Sequence, residues 1–172
     1  MSRLRIPRPA NDEAAVFYQT YIAEVGGDDL GEQLVEQLSQ AERLFSSVDD
    51  AAALARYAPG KWSIKELLGH LNDSERIFSY RLLRISRGDA TPLPGFDQNP
   101  YVVAGRFDER PLSDLVVEFR AIRLSTVALA SGIPARAVLY IIVGHVAHHL
   151  QVLRDRYGLA SAKPTSSLTV NR

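Results

Sequence analysis

Three of the four histidines in this 172-residue chain fall within five positions, in the segment Tyr140-Ile-Ile-Val-Gly-His145-Val-Ala-His148-His149-Leu. On a helix turning ~100° per residue, His145 and His149 lie one turn apart and share a face with Val138, Ile142, Val152 and Leu153. An apolar face rejects groups whose ring nitrogens need partners, so the pair must be satisfied either by core hydrogen bonds or by a metal ion. The fourth histidine, His70, sits in Leu67-Leu-Gly-His70-Leu-Asn-Asp73-Ser-Glu75, a second strongly helical segment. Three neutral imidazoles around a divalent ion leave at least one coordination position for water or substrate, the pattern of a reactive site rather than a closed structural one. Val146 stands where an HExxH peptidase carries its glutamate, which argues against a zincin.

The residues around these histidines divide by angle. His148 is rotated about 60° from His145, toward the edge of the apolar face, and suits a place beside the ligands better than ligation. Asp73, one turn beyond His70, is the candidate base: it could take a proton from bound water, orient a ligand, or simply be solvated. Arg81 shares the face of His70 and could hold an anionic group of a substrate, although a salt bridge at the core edge is the commoner use of such an arginine. Glu75, about 140° from His70, reads as an exposed or interhelical charge. Phe96 and Tyr101 suit a pocket rim or an anchor for their loop. Gly69 and Gly144, each preceding a proposed ligand, cost roughly 1 kcal/mol apiece inside a helix, and either let backbones approach closely around the site or simply tolerate tight helix packing.

Four helices can position these groups, the first of them beginning after a short apolar stretch around Phe17, Tyr18, Tyr21 and Ile22 and the break at Gly26-Gly27. Asp29-x-x-Glu32 resembles a capping box, and Leu30, Leu34, Leu38 and Leu44 continue a helical stripe to about Ser46. The connection that follows has Pro59-Gly60 and room for one short turn at residues 51–55. Ser63-Ile-Lys-Glu66 is a second capping box, with Trp62 and Leu67 as its hydrophobic staple, and predicts a helix from Ser63 to Arg87 that stops at Gly88. Residues 88–111, with prolines at 92, 94, 100 and 111, read as a long connection without regular helix. Extended at ~3.3 Å per residue, it can return along a ~36 Å helix, so the next helix, Leu112 to Ala130, can run parallel to the one before. The break at Ser131-Gly-Ile-Pro134 is too short for that, and the last helix, ending at Tyr157 before Gly158, must turn back. Pro134 suits that helix's first turn. His70 then lies ~10.5 Å from one helix start and His149 ~12 Å from the facing helix end, so the imidazoles can meet at one level.

Composition narrows the class. The length suits one domain, with a core at about 18–157 and a Ser- and Thr-rich tail at 159–172 expected to be loosely held. Twenty basic and twenty acidic residues cancel, and no basic stripe is present, which disfavours nucleic acid and anionic membranes as partners. The chain has no cysteine, so disulfides, cysteine-ligated zinc and a protein thiol nucleophile are excluded. The first residues carry no apolar run of the signal-peptide kind, and a cytoplasmic protein is expected.

The motifs Tyr57-Ala-Pro-Gly-Lys-Trp-Ser-Ile-Lys-Glu-Leu-Leu-Gly-His70-Leu-Asn-Asp, Pro92-Leu-Pro-Gly-Phe-Asp and Tyr140-Ile-Ile-Val-Gly-His145-Val-Ala-His-His149, in that order, resemble the DinB/YfiT-like superfamily of metalloenzymes. The resemblance spans about Tyr18 to Tyr157. It implies an all-α four-helix bundle of up-down-down-up topology with a long crossover between its second and third helices. It also implies a metal triad at His70, His145 and His149, holding zinc or nickel, and a homodimer. Relatives include transferases and isomerases that use low-molecular-weight thiols such as bacillithiol or mycothiol, so the implied chemistry is activation of a thiol cosubstrate or water against a small electrophile. The contrasting expectation is a noncatalytic stress-response protein that binds a metal or small ligand. Two departures, the short segment before the last helix and Val146 in place of a frequent acidic residue, bear on the substrate more than on the metal.

Overall fold

Capping chemistry sets the helix boundaries. The computed structural model describes residues 5–130 and 136–160, and Pro134 and nearly all of the tail lie outside them. Helix α1 is Val16–Ala23, α2 Leu30–Phe45, α3 Ile64–Ser86, α4 Gln98–Gly105, α5 Leu112–Ala130 and α6 Arg136–Tyr157. Asp29 caps α2 by accepting from the Glu32 amide, and Ser63 with Glu66 forms the full reciprocal capping box that starts α3. Gly88 and Gly158 follow α3 and α6 with φ of 75° and 69°, the left-handed conformation that ends a helix without a Cβ penalty. One short 3-10 turn, Ala52–Leu54, occupies the connection before α3. No strand occurs among the described residues; Arg5 and Asp29 form an isolated bridge.

Two segments depart from the sequence expectation. The apolar stretch around Tyr18 and Tyr21 is a helix, α1, packed along α6. The connection between α3 and α5, expected to hold no regular helix, contains α4. Pro100 is its third residue, inside the first turn, where the missing N–H costs nothing because those donors have no intrahelical acceptor.

Helix α3 packs on α5 and α6, and α2 packs on the same two. Cross-helix bonds give the directions. Lys65 donates to the Arg110 carbonyl at 2.8 Å, Asn72 to the Leu115 carbonyl at 3.1 Å, and Ser79 and Thr126 pair at 2.6 Å, so α3 and α5 run the same way. Tyr157 at the end of α6 donates to the Trp62 carbonyl just before α3 at 2.6 Å, so these two run oppositely.

The apolar core is two clusters rather than one. Leu38, Leu71, Phe119 and Val146 belong to the first, and Leu34, Phe78, Ala130 and Val143 to the second. Between them every one of the four long helices contributes a buried polar residue: Gln37, Glu75, Arg123 and His145. Arg123 donates to Glu75 Oε2 at 2.7 Å and to Gln37 Oε1 at 3.0 Å, and Gln37 donates to the Val143 carbonyl at 2.8 Å. Glu75 is thus interhelical and not exposed.

Gly144 lies where α1 crosses α6. A Cβ there would overlap the Tyr21 carbonyl, a backbone group that cannot rotate away. Gly144→Ala will therefore destabilise the protein by about 1–3 kcal/mol through overpacking, although an exposed helical Gly→Ala change normally stabilises. Urea unfolding gives the sign. Faster amide exchange confined to α1 would locate the cause, and a gain in stability would show that α1 does not rest against α6 this closely.

Candidate metal centre

His70 is carried by α3 and His145 and His149 by α6, and their nearest ring nitrogens all lie within 4.8 Å of one another. The Nε2 atoms of His70 and His145 stand 3.1 Å apart. Ligand nitrogens at about 2.0–2.1 Å from one ion are separated by roughly 2.9–3.4 Å, depending on whether its geometry is octahedral or tetrahedral. His149 sits with its ring centroid 5.0 Å from that of His70 and 4.6 Å from that of His145. Its Nδ1 is buried and has no hydrogen-bond partner among the described residues. An orphaned nitrogen of this kind costs stability unless something binds it. The donor set, three imidazoles, and this orphan fit a divalent ion of the zinc or nickel kind.

Ser74 Oγ is 3.3 Å from His70 Nδ1. If Nδ1 carries the proton and donates to Ser74, the Nε2 lone pair faces His145, the tautomer a metal ligand needs. Trp62 covers the other side of His70 with ring centroids 4.8 Å apart. Tyr21 and Phe78 pack edge-on against His145, at 5.2 and 5.8 Å.

Burial holds all three imidazoles neutral. It lowers His70 to about 4 and puts His145 and His149 well below their ordinary value, with the neighbouring imidazoles adding to the effect on the last two. Below pH 6.5 the unfolded chain binds protons that the folded site refuses, so stability falls as pH drops toward 4 and levels off above 6.5. For His70 alone the full loss is roughly 3 kcal/mol. Urea melts of metal-free protein at pH 7.5, 6 and 5 should show this slope, and His145→Leu/His149→Leu should make it shallower, leaving the part that His70 contributes. Equal slopes in both proteins would mean that His145 and His149 titrate normally.

The other sequence candidates sit outside the triad. Asp73 is half-buried, its carboxyl pushed up by burial against the pull of Arg76, and its charged neighbours are Arg76, Glu118 and Arg110 on the side toward α5. Arg81 donates to the Pro94 carbonyl at 2.8 Å and to the Tyr18 hydroxyl at 3.2 Å, tying the connection after α3 to α1. His148 is half-buried between Tyr21 and His149, with ring centroids at 5.6 and 5.0 Å. Phe96 lines a cavity of about 420 Å³ that reaches His70, Ser74 and His145. Sequence reasoning passed over Arg123, which lies on the triad's polar level; its one signal was a lone charge amid the apolar face of α5.

A largely buried three-histidine cluster between antiparallel helices, opening on a small-molecule-sized cavity, defines a helical protein with a candidate metal centre. The family model of the DinB superfamily matches residues 33–153, and the chain belongs to that superfamily. No curated protein and no solved structure matches it. No helix among the described residues is long and apolar enough to cross a membrane.

Proposed function

We propose that this DinB-superfamily protein is a metal-dependent enzyme that activates a low-molecular-weight thiol or water against a small electrophile, as an S-transferase or hydrolase. The proposal includes the up-down-down-up bundle topology, consistent with the helix directions above. The observation that carries it is the convergence of His70, His145 and His149, with a buried nitrogen of His149 left unpartnered and a cavity that reaches His70 and His145. Zinc or nickel held there would supply a Lewis acid that favours thiolate over thiol, or hydroxide over water.

The chain's own residues do the rest. Ser74 orients His70. Phe78 and Tyr21 pack edge-on against His145 and give the cavity beside it an apolar wall, which lowers the local dielectric and strengthens electrostatic interactions at the centre. Because the imidazoles stay neutral, they do not repel a cation. A cysteine-free chain fits a thiol that arrives as cosubstrate.

The test is turnover of chlorodinitrobenzene with uncharged 2-mercaptoethanol, and of a nitrophenyl ester without it, by zinc-loaded, nickel-loaded and metal-stripped protein. Thiol-dependent turnover of the first that is lost on stripping supports an S-transferase. Ester turnover lost on stripping supports a hydrolase. His145→Ala should abolish either while leaving the helical circular dichroism unchanged. A metal-loaded protein inert in both assays would sink the catalytic reading.

A further inference from the structure

The walls of the cavity beside the triad are mainly aromatic, with Ser74, Gln98 and Asn99 as neutral polar members, and carry almost no charge. Tyr18 and Tyr21 come from α1, Phe78 from α3 and Phe96 from the connection after it, with Phe17 exposed at the edge of the cavity. Phe17 meets Tyr18 and Tyr21 edge-on at 5.4 and 5.8 Å, and Tyr18 meets Phe78 at 6.0 Å, so these rings form one continuous surface. Among the described lining residues the only carboxylate is Asp97, which accepts from the Asn99 amide at 3.0 Å. No lysine or arginine is among those described lining residues. The nearest candidate, Arg81, lies against the Phe78 and Phe96 rings, 5.6 and 5.9 Å from their centroids, and its guanidinium is engaged by Pro94 and Tyr18.

We infer that the cavity takes a ligand with an uncharged, ring-shaped body and a single donor head that reaches His70 and His145. The ring body follows from the walls, because aromatic faces and edges reward a flat partner. The single head follows from the charge inventory. One anionic donor finds its counter-charge at the centre, whereas a second anionic group farther out meets rings, the neutral amide side chains of Gln98 and Asn99, and Asp97, with no cation among the described lining residues. A volume of about 420 Å³ lies at the lower end of small-molecule sites and suffices for one substituted ring. The inference about the head rests on the metal-centre reading; the inference about the body does not.

Matched ligands separate the two. Zinc-loaded protein is titrated calorimetrically with thiophenol, ethanethiol and 4-mercaptobenzoate, the last adding one carboxylate to the same ring. Thiophenol should bind at least about tenfold more tightly than either of the others, and Phe96→Ala should shrink its advantage over ethanethiol. Equal or tighter binding of 4-mercaptobenzoate overturns the uncharged body, and equal binding of ethanethiol overturns the ring, with zinc still bound in both cases. If the protein takes up no zinc, the metal reading has failed. The body is then tested on metal-free protein by ligand-observed NMR with toluene and benzoate. Toluene should show saturation transfer that Phe96→Ala weakens, and benzoate none; the reverse, or no binding of toluene, overturns the inference.

Discussion

Metal-free protein carrying His149→Leu will be as stable as the metal-free parent, or slightly more so, yet will gain nothing from zinc. The side chain removed has a buried Nδ1 without a partner, a defect worth about 1–3 kcal/mol, and leucine fills much of the same volume without a polar atom. The parent should behave oppositely. A ligand that binds only the folded state stabilises by about 4 kcal/mol at 1,000 times its dissociation constant, which for a chain of this size is roughly 8–16 °C in Tm. Thermal melts with and without a small excess of zinc, together with elemental analysis, measure both halves. About one zinc or nickel per chain in the parent and none in the variant is the expected stoichiometry. If zinc raised the Tm of both proteins equally, the ion would be bound elsewhere and His149 would be a core residue.

Arg123→Leu should be among the most damaging single changes in the molecule. It leaves the Glu75 carboxylate, which is 2% exposed, buried without its counter-ion, and losing one partner of such a pair costs about 3–5 kcal/mol. It also strips Gln37 of its partner at Oε1. Replacing both charges, as Glu75→Leu with Arg123→Leu, removes the desolvation cost along with the attraction and should restore most of the loss. Urea unfolding of the four proteins closes a double-mutant cycle whose coupling energy is the measured quantity. A coupling below about 1 kcal/mol would show that water reaches this pair and that the polar level between the two apolar clusters is not dry. The same variants bear on the site, because Gln37 ties this level to the Val143 carbonyl two residues before His145.

Local chemistry was enough to read much of this molecule. Ser63 with Glu66, Asp29 and Gly158 mark helix ends because capping involves groups only a few residues apart, and α5 begins and ends at the expected Leu112 and Ala130. The His145 and His149 pairing was legible for the same reason, since a four-residue spacing fixes a shared helix face. Loop lengths carried the relative directions of α3, α5 and α6 and hence the level at which His70 meets α6. α4 was lost because Pro100 looks like a breaker unless its position in the first turn is known. α1 was lost because eight residues give too few turns for a periodic signal.

What lies between helices distant in sequence could not be read from spacing. Glu75 and Arg123 are 48 residues apart, and no local pattern says that two opposite charges will be desolvated together. The sequence left Gly144 as either a packing or a site glycine; only the docking of α1 shows that its missing Cβ admits the Tyr21 carbonyl. Arg81 illustrates the same limit. Its type and helix face suggested an anion partner, but the folded chain brings Pro94 and Tyr18 to its guanidinium and rings to its flank. Thus residue identity and periodicity determined which groups face inward and where each helix begins and ends, because those depend on interactions a turn or two apart. Tertiary packing decided which inward groups find partners, because hydrogen bonds and ion pairs act over about 3 Å and depend on how neighbouring helices are shifted and rotated against one another.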